Sequence, residues 1–196
     1  MFRIRYPIEE VQFITVNFNQ WYLYGRHKGL DFRTICKEYL NGIGTPIHAV
    51  ARGEWGERGY SKPYGNYVIL DHKEGYQTLY GHLLKNTFRN GYKEVRAGDI
   101  IGFGGNTGLF TTGPHLHFEL RDCGVKIDPM PYIQAGEDLK NRLMQRPLLR
   151  VENKGIIKLL TNGGLLELND RNCWNLVSVN ARGINESDYN DLLDLL

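Results

Sequence analysis

The sequence predicts a mainly β protein, an antiparallel sheet followed by a small mixed α+β extension at the C-terminus. Three observations carry this expectation. From about Phe13 to Ile133, β-branched and aromatic runs alternate with glycine-rich turns. Between Gly91 and Gly113 glycines are dense and long helical periodicity is absent. After the two prolines of DPMPYI the composition changes, which places a domain boundary between residues 133 and 134.

Taken in order, NYVILD (Asn66–Asp71) and YQTLY (Tyr76–Tyr80) flank HKEG and read as a β-hairpin, with His72 a solvated turn residue. GFGGNTG superficially suggests a phosphate loop. Thr107, however, stands where GxGxxG needs glycine and no helix pattern follows, so a tight turn beside a groove is expected. EDLKNRLMQR predicts a short helix stopped by Pro147, and IIKLLTNGGLLEL pairs two apolar runs across Asn162-Gly163-Gly164 as a hairpin. NESDYNDLLDLL, with Asn185 as a cap and an acidic first turn, predicts a terminal helix. Residues 134–196 are thus expected to form a separate module or a packing extension that covers the sheet edge or mediates association.

At 196 residues and 41% hydrophobic content the chain can bury a core without staples. Its 24 basic and 22 acidic residues leave a formal charge of +2, too small a field to select nucleic acid but suited to a weakly anionic substrate. Cys36, Cys123 and Cys173 are odd in number and lack CxxC spacing, which argues against a disulfide framework and a zinc ribbon. Glu9, Glu10 and Gln12 interrupt the stretch where a signal peptide needs apolar residues, and no run has transmembrane length.

GPHLHFEL (residues 113–120) carries the chemistry. Side chains alternate along a strand, so His115 and His117 share one face while Leu116, Phe118 and Leu120 share the other. Upstream, GRHKGLDF places His27 and Asp31 four apart, on one face of an extended segment. Two histidines and a carboxylate leave a fourth tetrahedral position open, the arrangement of a catalytic rather than a structural zinc ion. A non-haem iron triad uses the same ligand types. HxH, however, supplies one imidazole more than a triad needs, and His82 follows the second hairpin strand. Amide hydrolysis needs both: one imidazole to take a proton from water, the other to stabilise the oxyanion or protonate the leaving amine. Hydrolysis therefore accounts for five residues and oxygenase chemistry for three.

With these residues assembled, the chain resembles the M23 family of zinc endopeptidases, the lysostaphin and LytM type. The signature HxxxD followed by HxH appears as His27-Lys28-Gly29-Leu30-Asp31 and His115-Leu116-His117. GTPIHAVARGEW, YGNYVILDH, TLYGHL, VRAGDIIGFGGNTG and IDPMPYI continue the similarity across roughly residues 13–133. The resemblance implies a LytM/lysostaphin-type β domain of barrel-sandwich hybrid character over 1–133. It further implies Zn2+ on His27, Asp31 and His117, with His82 and His115 as catalytic imidazoles, and cleavage of peptide cross-links in bacterial peptidoglycan. Arg26 replaces a glycine common before the first motif. Leu109-Phe110-Thr111-Thr112 is one residue longer than the usual turn, and Ala51–Tyr64 is longer than in the shortest members; both departures bear on which cross-link fits.

Tyr64, Asn66 and Thr107 are candidate substrate-binding residues, whereas strand alternation assigns some of Tyr60, Tyr64, Tyr67 and Tyr80 to the core. His48 is expected to be structural. Rival expectations are a non-catalytic wall-binding or amidase-activating module and a virion component carrying this domain. Expected partners are peptidoglycan and, through residues 134–196, phage structural proteins or a second copy. The expected location is a phage virion or the host cytoplasm with release to the wall, or the periplasm or exterior where a leader has been removed.

Overall fold

The computed structural model describes residues 2–9, 13–22, 25–35, 38–86, 93–144, 149–153, 156–161 and 164–169. Within them the chain divides into two compact units, one reaching Gly136 and one beginning at Glu137. In the first unit the strands are β1 (Ile14–Val16), β2 (Trp21–Tyr22), β3 (Gly25–Arg26), β4 (Leu30–Arg33), β5 (Pro46–His48) and β6 (Gly53–Ser61). They continue as β7 (Gly65–Asp71), β8 (Tyr76–Asn86), β9 (Glu94–Val95), β10 (Ile100–Gly104), β11 (His115–Asp122) and β12 (Val125–Ile127). Helix α1 (Met130–Met144) follows.

Ten of these strands form one antiparallel sheet in the order β1-β4-β11-β8-β7-β6-β9, with β12 on β11 and β10 joining β5 to β8. β2 and β3 form a separate two-stranded ladder, Trp21 opposite Arg26 and Tyr22 opposite Gly25. The predicted hairpin is β7–β8, closed by a short 3-10 turn at Lys73–Gly75. The expectation for His72 needs correcting. Its ring is bonded at both nitrogens, Nδ1 2.8 Å from the Arg52 carbonyl and Nε2 2.7 Å from Thr78 Oγ1, because the hairpin turn folds back over β6.

One face of β11 supplies Leu116, Phe118 and Leu120, all fully buried with Phe32, Ile47, Val68, Leu70, Tyr80, Leu83 and Ile101. Tyr80 belongs to this core, its hydroxyl satisfied by Val50 N–H and Thr78 Oγ1. Phe2, Ile4 and Ile8, ahead of the first strand, complete the cluster together with Ile133. His48 is buried with Nδ1 on the Gly98 carbonyl, a structural position.

The two prolines near the expected boundary surround a helix start. Asp128 Oδ1 accepts the Met130 N–H, and Pro131 lies in the first turn, where no intrahelical N–H bond is lost. Residues 133 and 134 therefore lie inside α1. No helix among the described residues is long and apolar enough to cross a membrane.

In the second unit β13 (Leu149–Asn153), β14 (Ile156–Thr161) and β15 (Gly164–Asn169) form an antiparallel three-stranded sheet. Thr161 pairs with Gly164, so the expected hairpin is present. Cys36, Cys173 and the expected terminal helix lie outside the described residues.

Candidate metal centre

Register brings the ligand-bearing side chains together. β11 lies between β4 and β8, with His117 opposite Asp31 on one side and opposite Gly81 on the other. His117 Nδ1 is 2.9 Å from Asp31 Oδ1. His27 does not continue the strand of Asp31, contrary to expectation: β3 ends at Arg26 and β4 begins at Leu30. The chain bends at Gly29, where a Cβ would lie 2.4 Å from the Phe118 carbonyl oxygen, so the residue without one lets the loop press onto β11. The bend still delivers His27 Nε2 to 3.1 Å from Asp31 Oδ1 and 3.0 Å from His117 Nδ1.

His27 Nε2, Asp31 Oδ1 and His117 Nδ1 thus form a nearly equilateral triangle, buried or half-buried at every corner. Two imidazole lone pairs and a carboxylate oxygen at this spacing need a cation between them, either a proton or a metal ion. Ligands about 2.0–2.1 Å from a tetrahedral zinc ion lie about 3.3 Å apart, close to the observed edges, and the donor types suit zinc. Without a metal, the cation is a proton on His117. Burial alone would lower the pKa of this ring, but its bonds to Asp31 and Glu119 prevail and raise it to about 9. Asp31 responds in the opposite sense. Burial works against its ionisation, yet the bonds from His117 and His27 hold its carboxyl well below the usual range.

Two further imidazoles stand beside the triangle. His115 Nδ1 is 2.7 Å from the Gly113 carbonyl and its Nε2 is 3.7 Å from Asp31 Oδ2. His82 Nδ1 is 2.8 Å from the Thr107 carbonyl, and the two rings lie 4.6 Å apart. A nitrogen facing a carbonyl must carry the proton, so each ring keeps Nε2 as its acceptor atom. Burial, reinforced by neighbouring His115, pushes His82 down to about 4, so it is neutral at pH 7.

His82 reaches the cleft through a β-bulge. Between Val68–Tyr80 and Asn66–Leu83, β7 advances two residues and β8 three. His82 takes a φ of 59° there, a left-handed conformation costing an L-residue about 1–3 kcal/mol. Simple alternation would place His82 on the side of buried Tyr80; the extra residue turns it toward His115.

Sequence reasoning missed Glu119, which shares the face of His115 and His117 by the same alternation. Its carboxylate is buried and lies 3.1 Å from His117 Nε2. Burial opposes its ionisation, but His117 and Lys126 hold it charged, with a pKa of about 2.

The five histidine and aspartate residues, with Glu119, Lys126 and Tyr64, line an open cleft of about 280 Å³ whose walls include Tyr22, Arg26 and Phe110. Tyr64 stacks on His117 at 5.7 Å, and its hydroxyl donates to Glu119. Asn66 and Thr107, expected to face substrate, do not line this cleft. Asn66 Nδ2 binds the Leu83 and Leu84 carbonyls, while Thr107 Oγ1 donates to the Leu83 carbonyl and accepts the Asn66 N–H. Both brace the bulge that carries His82.

Centres with three protein ligands, neighbouring imidazoles and an open cleft are characteristic of metal-dependent hydrolases as a class. Sequence comparison narrows the class: residues 25–129 match Peptidase family M23, and the chain belongs to that family. The DD-carboxypeptidase/endopeptidase Mpg of Neisseria meningitidis serogroup B is 40% identical over 104 residues, 53% of this chain and 22% of Mpg. The chain therefore spans about a fifth of that relative's length. A zinc-containing peptidase from Vibrio cholerae superposes with a TM-score of 0.55 at 34% identity, covering 66% of this chain and 39% of the other. The catalytic domain of lysostaphin from Staphylococcus simulans gives 0.54 at 33% identity, covering 62% of this chain and 92% of that domain.

Proposed function

We propose that this protein is a zinc-dependent endopeptidase that hydrolyses amide bonds in the peptide cross-links of bacterial peptidoglycan. The observation that carries the proposal is the His27, Asp31 and His117 triangle beside the two imidazoles of His82 and His115 in one cleft. Membership of Peptidase family M23 and the similarity to Mpg and lysostaphin support the choice of substrate.

His27, Asp31 and His117 would hold the zinc, which supplies Lewis acidity to a scissile carbonyl and acidifies water. The remaining work falls to the chain. One of His82 and His115 accepts the proton of the attacking water at Nε2 and passes it to the departing amine; the other stabilises the oxyanion only in its imidazolium form, by donating a second N–H from Nε2. The carbonyls of Thr107 and Gly113 hold the Nδ1 proton of each ring, so Nε2 is the atom that gains or loses a proton. Tyr22, Arg26 and Phe110 form the walls against which the peptide lies.

The decisive experiment is mass spectrometry of muropeptides after incubating isolated peptidoglycan with the purified chain. New stem-peptide or bridge termini should appear, vanish on chelation and return with zinc. An unchanged muropeptide pattern from zinc-loaded protein would overturn the proposal. The proposal extends to location: the chain reaches the wall from a phage virion, from the host cytoplasm after release, or from the periplasm or exterior where a leader has been removed. Detection in purified virions, or in lysates alone, separates the first two.

A further inference from the structure

His117 and His27 both face Asp31, but their far nitrogens differ. His27 Nδ1 is buried with no hydrogen-bond partner among the described residues. His117 Nε2 meets Glu119 Oε1 at 3.1 Å. We propose that Glu119 is the positioning residue of the metal centre: it accepts the Nε2–H of His117, fixes the tautomer that leaves Nδ1 as the ligand atom, and is itself clamped by Lys126, Arg121 and Tyr64. This inference rests on the metallopeptidase reading above.

The carboxylate is 1% exposed, a position that strongly disfavours an unpaired charge. Every direction around it is occupied. Oε1 accepts Lys126 Nζ at 2.8 Å and Tyr64 O–H at 2.8 Å in addition to His117. Oε2 accepts Arg121 Nε at 3.0 Å and Nη2 at 2.7 Å. Lys126 Nζ also donates to Tyr64 Oη at 2.7 Å, closing the clamp, while the Tyr64 ring covers the face of His117.

Two cations beside one carboxylate would balance its charge without any histidine. What the ion pairs alone leave unexplained is that Oε1, the oxygen shared by Lys126 and Tyr64, also meets the imidazole. A carboxylate behind a ligating imidazole fixes its tautomer and orientation and raises its basicity, and its removal typically weakens metal affinity about 10–100-fold. Tyr64, expected to contact substrate, acts through this network on the ring behind the metal corner.

The test uses the full chain, stripped of metal, with zinc affinity measured by competition against a chromophoric chelator. Glu119→Gln removes the charge, and Glu119→Asp keeps it but withdraws the oxygen from Nε2. Both should weaken zinc binding about 10–100-fold with the sheet signature in circular dichroism retained. Should either variant fail to fold, nitrogen-15 NMR of zinc-loaded wild type decides: His117 is expected to carry its proton on Nε2. Zinc affinity within twofold of wild type in both folded variants, or a His117 proton on Nδ1, overturns the assignment. A wild-type chain that binds no zinc would instead overturn the metallopeptidase reading.

Discussion

Asp31, His115 and His117 stand on β4 and β11, paired residue against residue, whereas Trp21, Tyr22, Leu109 and Phe110 stand on a two-residue ladder and a turn. The first group forms the floor of the cleft, and Tyr22 and Phe110 of the second border it. The side chain of Asp31 is 6% exposed, while Trp21 is 70% and Phe110 47% exposed. A metal corner works only if its atoms are placed within tenths of an ångström, a demand that a hydrogen-bonded sheet over a packed core meets and a loop does not. The rim needs only to touch a substrate, and one long Tyr22 to Thr112 hydroxyl contact of 3.4 Å links its two sides. The turn Leu109–Thr112 places Phe110 in the cleft wall.

The largest effects should come from the floor. His117→Ala should abolish both zinc retention and cleavage. His82→Ala and His115→Ala should keep zinc but lower kcat about 10²–10⁴-fold, as expected for loss of a general acid or base. Zinc content by elemental analysis beside kcat on a cross-linked peptide separates the two behaviours. Zinc loss in His82→Ala would erase the distinction between corner and neighbour.

A second, smaller effect is set by pH. Metal-free His117 titrates at about 9, so zinc must displace its proton at pH 7. Apparent zinc affinity should rise up to about tenfold per pH unit toward 9 and level off above it, with about one proton released per zinc at pH 7. Calorimetry in buffers of different ionisation enthalpy measures that proton. The same shift bears on the metal-free fold. Because the folded pKa exceeds the unfolded value of about 6.5, the stabilisation is complete below that value and is lost as pH rises through about 9. Zinc affinity independent of pH between 6 and 9 would contradict this.

The rim should respond least. Phe110→Ala removes a half-exposed ring, worth about 1 kcal/mol of apolar contact, and should lower kcat/KM about fivefold, mainly through KM. Zinc affinity should not change. A loss of zinc in this variant would show that the rim supports the floor.

Much of the floor was legible. Alternation alone put His115 and His117 on one face, and the same alternation puts Glu119 there too. His82 was legible as a catalytic candidate but not as a residue whose direction depends on a bulge. Asn66 lies within β7 rather than on a turn, and which way the side chains of Asn66 and Thr107 point depended on the Leu83 and Leu84 carbonyls that they bind. His27 reaches the corner by a bend at Gly29, not by the straight segment that even spacing implied.

By itself the sequence determined the mainly β class, the hairpin and the set of chemically able residues, because periodicity and turn chemistry are local properties of a chain. Tertiary structure alone decided the triangle. Asp31 and His117 are 86 residues apart, His27 and His117 90, and they meet only because β4 and β11 pair in one register. A slip of one residue would turn every side chain of β11 to the opposite face, and no local pattern encodes which register the packed core selects.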